Sequence, residues 1–155
     1  MPGYHVRSAS VSDIDVLVRH RLGMFAEMET SIADGVAGAF RQWLEQMLPA
    51  GAYKAWLVQT DDGHVVAGGG LTILPWPPGP QAVASRVAFV YNVYTEPLHR
   101  HRGLARTLMM NIHDWCRENG VGVVMLNASQ AGRPLYESMG YRPTASPLMF
   151  LAVES

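Results

Sequence analysis

Four consecutive residues, His99-Arg100-His101-Arg102, stand directly before Gly103-Leu104-Ala105 and an apolar run with helical spacing. The first-turn N–H groups of a helix lack internal acceptors and carry the positive end of the helix dipole. A pyrophosphate can be cradled there. Gly103 and Ala105 are small enough to let an anion approach the backbone. Arg100, Arg102 and Arg106 can add charge-assisted hydrogen bonds, and His99 and His101 further donors. The stretch lacks the GxxxxGK[ST] pattern of a nucleoside triphosphatase and the GxGxxG pattern of a dinucleotide site. Taken alone, it reads equally as an anion site and as a solvated turn.

The elements around it follow from periodicity. Residues 4–10 alternate like a half-buried strand. Ser10 or Ser12 can cap a following helix, with Asp13 and Asp15 in its first turn and an apolar stripe of Ile14, Leu17, Val18 and Leu22. The region from Met24 to Leu48 reads as helix interrupted near residues 33–38. Residues 53–60 and 64–74 form a hairpin about Asp61-Asp62-Gly63. Gly68, Gly69 and Gly70 inside it predict a bulge or a close backbone approach. The proline-rich loop 75–81 is a candidate lid. Residues 86–97 form a long strand, and the basic loop and its helix follow, ending near Gly120. Residues 121–128 form a buried strand, 131–140 a short helix, and 141–153 one or two final strands. The order predicts one α/β domain over 1–155, a mixed sheet with helices on both faces.

Composition excludes several classes. The 155 residues are 48% apolar and 16% charged, with a net charge of −1. That balance suits a compact domain and argues against a general nucleic-acid binder. The single cysteine, Cys116, excludes a disulfide framework and a cysteine-based zinc site. His5, His20, His64 and His113 show no metal-ligand spacing, so no metal is expected. No catalytic triad is readable. No apolar run approaches membrane-spanning length, and residues 1–10 contain no hydrophobic signal region. The expectation is a cytoplasmic protein with no membrane partner.

Arg100-His101-Arg102-Gly103-Leu104-Ala105 resembles the Arg/Gln-x-x-Gly-x-Gly/Ala signature of the GNAT superfamily of acyl-CoA-dependent N-acyltransferases. "NVYTEP" before it looks like the family's strand and its usual proline. "LNASQAGRPLYESMGYRP" looks like the closing motif, a tyrosine-bearing helix ending in glycine and an aromatic residue. Together these cover Tyr91 to Pro143.

The resemblance implies an N-acetyltransferase that moves an acetyl group from acetyl-CoA to a primary amine of a small molecule or of a peptide or protein, by direct attack in a ternary complex. Val93, Tyr94 and Thr95 would offer backbone groups to the pantetheine arm. Arg100, His101, Arg102, Gly103, Leu104, Ala105 and Arg106 would wrap the pyrophosphate. Ser129 stands where many relatives have a cofactor-contacting asparagine. Arg133 either reaches a phosphate or the adenine side, or is a plain surface arginine. Tyr136 is the expected general acid, its phenol protonating the departing thiolate; the alternative is a packed helix tyrosine. Many relatives place a glutamate on the long strand as base, yet residues 81–95 hold no carboxylate. Glu27 and Glu29 are candidate bases or surface carboxylates, and water held by Asn92 is an equal alternative. Met24 and Met28 read as core or as a soft wall for an apolar amine, with Trp76 closing over it. The missing strand carboxylate keeps a second reading open, a non-catalytic domain that holds acyl-CoA. Such folds commonly form homodimers.

Overall fold

A computed structural model of the protein describes residues 3–80, 82–83 and 85–153. Gln81, the end of the proline-rich loop, lies outside them. The elements run β1 (Tyr4–Ser8), α1 (Ile14–Glu27), α2 (Val36–Met47), β2 (Tyr53–Thr60), β3 (Val65–Pro75), β4 (Arg86–Thr95), α3 (Leu104–Glu118), β5 (Val123–Leu126) and α4 (Arg133–Ser138). Single 3-10 turns precede α1 at Val11–Asp13 and follow β4 at Pro97–His99.

The five strands lie in sequence order. β1 through β4 pair antiparallel, and β5 joins β4 in parallel. This is the mixed, mostly antiparallel sheet that the sequence predicts. β2 alternates its side chains across the pleat, as strand geometry requires. Trp56 and Val58 enter one core with Val66, Leu71, Ala88 and Val90, beneath Leu104, Leu108, Ile112 and Cys116 of α3 and Tyr136 of α4. Tyr53, Ala55 and Leu57 enter the other, beneath Ile14, Leu17 and Val18 of α1 and Leu44 of α2.

The turn into α1 is held by Asp13. Its Oδ2 accepts the Ser10 N–H at 2.8 Å, and the Arg7 fork donates to both carboxylate oxygens at 2.9 and 2.8 Å. Hydrogen bonding from Arg7, which outweighs the opposing effect of burial, holds the Asp13 carboxyl below its ordinary pKa. The three central glycines are explained by crowding. A Cβ on Gly70 would collide with the Tyr53 ring, and one on Gly68 would lie 2.7 Å from Leu57 Cδ2.

One sequence expectation fails. Residues 141–153 form no strand. Pro143 and Pro147 remove two ladder donors. The outer edge of β5, the nearest template, is not engaged by any described strand. Leu148, Met149, Phe150, Leu151 and Val153 consequently stand 81–91% exposed. Among the described residues no helix is long and apolar enough to cross a membrane.

Candidate active site

The site is built around a departure of two strands. β4 pairs with β5 only from Val87↔Val123 to Val90↔Leu126. β4 then continues to Thr95 while β5 has ended, so its outer edge presents backbone groups that no β5 residue answers. Its inner edge changes register at the same level. Gly70 faces Tyr91 and Gly68 faces Tyr94, so Asn92 and Val93 together oppose Gly69. This two-against-one arrangement is a β-bulge, which bends the strand and re-aims its side chains. Asn92 takes the left-handed conformation, φ 62°, to make it. A Cβ on Gly69 would crowd Val93 Cγ2 at 3.1 Å and Leu108 Cδ2 at 3.2 Å.

The loop that follows leaves a run of backbone N–H groups without backbone acceptors. His101 and Gly103 both take left-handed conformations, φ 61° and 76°. Among the described residues, no backbone N–H from His101 through Arg106 reaches a backbone acceptor. The first to do so is Thr107, which donates to the Gly103 carbonyl at 3.0 Å. Successive N–H groups on such a backbone form a concave anion site at the start of the helix. Leu104 anchors the first turn in the core. Arg102 is exposed at the rim.

The other basic residues have protein partners. Arg100 Nε donates to the Thr95 carbonyl at 2.8 Å, and its Nη2 contacts both Glu27 oxygens at 2.6 and 2.7 Å. Arg106 donates to Ser138 Oγ at 2.6 Å, tying α3 to α4. His99 Nδ1 meets the Tyr4 hydroxyl at 3.0 Å.

Tyr136 of α4 is 8% exposed and packs in the α3 core. Burial raises its phenol pKa, so the hydroxyl stays protonated at neutral pH. That hydroxyl has no hydrogen-bond partner among the described residues and is free to donate. Ser129 is committed locally, its Oγ accepting the Gly132 N–H at 3.0 Å at the start of α4. Arg133 is exposed and pairs with Glu137 one turn on at 2.5 Å.

Across the bulge, α1 supplies the facing wall. Arg21 Nη1 donates to Asn92 Oδ1 at 2.5 Å, and Asn92 Nδ2 donates to the Tyr53 hydroxyl at 3.0 Å. Burial pushes the Tyr53 phenol up to about 12. Met24 is half-buried and Met28 exposed on the same helix end. Glu29 is exposed in the loop beyond, with φ 53°. The Tyr94 hydroxyl donates to Glu27 at 3.4 Å.

The model of the Acetyltransferase (GNAT) family matches residues 24–141. The chain belongs to the GNAT acetyltransferase family. It is 31% identical to a GCN5-related N-acetyltransferase from Ralstonia eutropha JMP134, with a TM-score of 0.85, over 96% of this chain and 99% of that one. A predicted acetyltransferase from Clostridium acetobutylicum, crystallised with acetyl-CoA, shares the fold at 22% identity and a TM-score of 0.87, over 96% of both chains. The aminoglycoside N-acetyltransferase AAC(6')-Iy, in complex with CoA, shares it at 15% identity and a TM-score of 0.78, over 97% of this chain and 95% of that one. No curated protein sequence matches the chain.

This GNAT acetyltransferase uses acetyl-CoA as its acyl donor. The open edge of β4 and the unanswered N–H groups of the loop fit an extended amide-bearing arm that ends in a pyrophosphate. Among the described residues, no group of three His, Cys, Asp or Glu side chains could hold a metal ion.

The fold brings Asn92, Val93, Tyr94, Thr95 and the 100–106 loop together, with Met24, Glu27 and Met28 along α1. It does not bring Trp76 to them. Pro75 pairs with Arg86 at the start of β4, whereas Glu27 meets Tyr94 near its far end. A hairpin loop emerges at one end of its strands, so Trp76 lines a groove with Ile73, Pro77 and Arg86 at the opposite end of the sheet. Two residues at the site escape a reading of the sequence, Arg21 and Tyr53. Arg21 meets Asn92 across a separation of 71 residues, which no local pattern encodes.

Proposed function

We propose that this acetyltransferase moves the acetyl group of acetyl-CoA to a primary amine of a small molecule or peptide by direct attack in a ternary complex. The observation that carries the reading is the opened edge of β4 leading into the unanswered N–H groups of residues 101–106. The pantetheine arm adds to that edge as a further strand would, against Val93, Tyr94 and Thr95. The pyrophosphate sits on the loop N–H groups, with Gly103, Leu104 and Ala105 giving backbone access and Arg102 charge. A backbone N–H at Val93 or Tyr94 polarises the thioester carbonyl. Arg100 acts by joining the loop to α1 through Glu27, and it is released to phosphate only if that pair opens.

The neutral amine attacks the carbonyl carbon, the C–S bond breaks, and the thiolate takes the phenolic proton of Tyr136. The proton lost by the amine returns to the phenolate through water. Both Glu27 oxygens are engaged by Arg100, so neither is free for the amine while that pair is closed. Water ordered by Asn92 better suits the initial deprotonation of the ammonium. Holding both substrates in place supplies much of the acceleration.

The reading extends to a single domain over 1–155 in the cytoplasm, where the free buried thiol of Cys116 suits reducing conditions. It also includes a homodimer, favoured by the exposed apolar run from Leu148 to Val153 and the free outer edge of β5. The deciding experiment for the chemistry is acetyl-CoA-dependent thiol release across a panel of amines. Release that tracks an N-acetylated product supports the reading. Binding of CoA without release from any amine overturns it.

A further inference from the structure

Arg21 is a cation placed beside the reaction centre without an anion. It lies on α1 with its guanidinium carbon 4.8 Å from the ring centroids of both Phe25 and Phe40. Among the described residues, its guanidinium has one hydrogen bond, to the side chain of Asn92 at the bulge. The side chain is half-buried, and burial pulls its pKa below the ordinary arginine value. Among the described residues it forms no ion pair. The groups that act on its charge are the phenols of Tyr53 and Tyr91. Arg7, Arg19, Arg41, Arg100, Arg117 and Arg133 each have a carboxylate within ion-pair distance.

Removing a guanidinium from water without a counter-charge is unfavourable. A guanidinium has five N–H donors in one plane, and Asn92 takes only one of them. The two phenyl rings flank the cation, a favourable cation–π arrangement. The remaining donors are not buried orphans, since His20 Nδ1 alone among the described residues is a buried side-chain atom without a partner. The Nε–Nη2 edge presents two of them as a planar fork, the shape that pairs with a carboxylate.

We infer that Arg21 binds a carboxylate on the acceptor, so that the preferred substrates are amines that carry a carboxylate close to the reacting nitrogen, as free amino acids do. The inference rests on the acetyl-transfer reading, which puts the thioester at the bulge next to Asn92. Phe25, Phe40 and the half-buried Met24 make the surrounding wall apolar, which favours an amino acid with an apolar side chain over a polyamine or a sugar.

The test uses the intact protein saturated with CoA and titrated calorimetrically with product-like probes: N-acetylmethionine, N-acetylphenylalanine and their primary amides. The acids should bind at least about tenfold more tightly than the amides, as charge-assisted bidentate contacts imply. Arg21→Gln should abolish that preference while leaving CoA affinity intact, and Arg21→Lys should restore part of it. In turnover, Arg21→Gln should raise KM for the free amino acid and leave KM for its methyl ester unchanged. Equal binding of acids and amides by the wild type overturns the inference, as does the absence of binding by either. Loss of acid and amide binding alike in both variants assigns Arg21 a packing role and also overturns it. Failure of the acetyl-transfer reading is distinct: no amine, whether acid or ester, would then release thiol.

Discussion

Tyr136 and His20 are both buried and titratable, and their surroundings give them different work. Tyr136 has a raised pKa, no competing hydrogen-bond partner and a place in the core under α3. The hydroxyl is protonated at neutral pH and free to donate, but the raised pKa makes it a weaker acid than an ordinary phenol, so its role depends on direct contact with the departing thiolate. Tyr136→Phe removes the hydroxyl and keeps the ring. Turnover should fall by about 100-fold, the lower range for general acid catalysis, with acetyl-CoA affinity unchanged by calorimetry. Wild-type turnover in the variant would return Tyr136 to a packing role.

His20 is 2% exposed, and burial outweighs its contact with Glu96 to lower its pKa. Arg19 and His64 also face Glu96, and the Tyr94 ring lies 5.1 Å from the imidazole. The folded protein keeps His20 neutral. Below pH about 6.5 the unfolded chain takes up a proton that the folded one refuses. Stability should therefore fall as pH drops from about 6.5, by at most about 1.4 kcal/mol per pH unit from this group, and level off below the folded pKa. Denaturant melts from pH 8 to 5, with the pH range about that of histidine titration, should show a shallower slope in His20→Gln. An identical slope would place the effect on another group, such as His113.

At the scale of elements, the proposed reading makes the join between β4 and α3 the donor's phosphate site. Gly103 there combines a left-handed backbone with a place amid unanswered N–H groups. Gly103→Ala carries the cost of that conformation, about 1 kcal/mol, and puts a methyl group where the anion would approach the backbone. Gly103→Glu adds a carboxylate where a pyrophosphate should sit. Calorimetry should find weakened acetyl-CoA binding in the first and none in the second, with both still folded by circular dichroism. Equal affinity in Gly103→Glu and wild type would move the phosphate site elsewhere. This join was legible in the sequence because it is local: a small residue, adjacent arginines and a helical run are contiguous. The glycines 68–70 were legible as a bulge or close approach for the same reason, though Tyr53 and Leu57 as the crowding groups were not. Trp76 and Arg21 were not legible. Their positions depend on which end of a hairpin faces α1 and on which face of α1 meets the bulge, and both are consequences of packing.

At the scale of the molecule, the two cores account for the folded sheet without the chain beyond residue 145. That chain is rich in strand-forming residues, so the sequence predicts strands there, but a strand needs a neighbour to answer its backbone. Among the described residues it has none, and five large apolar side chains face water. The outer edge of β5 has the complementary deficit. A second copy can meet both needs by laying its tail along that edge, and twofold symmetry would make the exchange reciprocal. Truncation after Ala145 separates this role from a role in folding. The shortened chain should melt with a cooperative transition, because the removed residues bury little in the monomer. Its mass by light scattering should be half that of the full chain at the same concentration. A full chain that is already monomeric, or a truncated one that remains a dimer, would remove the tail from any interface. A truncated chain that fails to fold would mean that residues 146–153 close one of the cores in solution, against their exposure here.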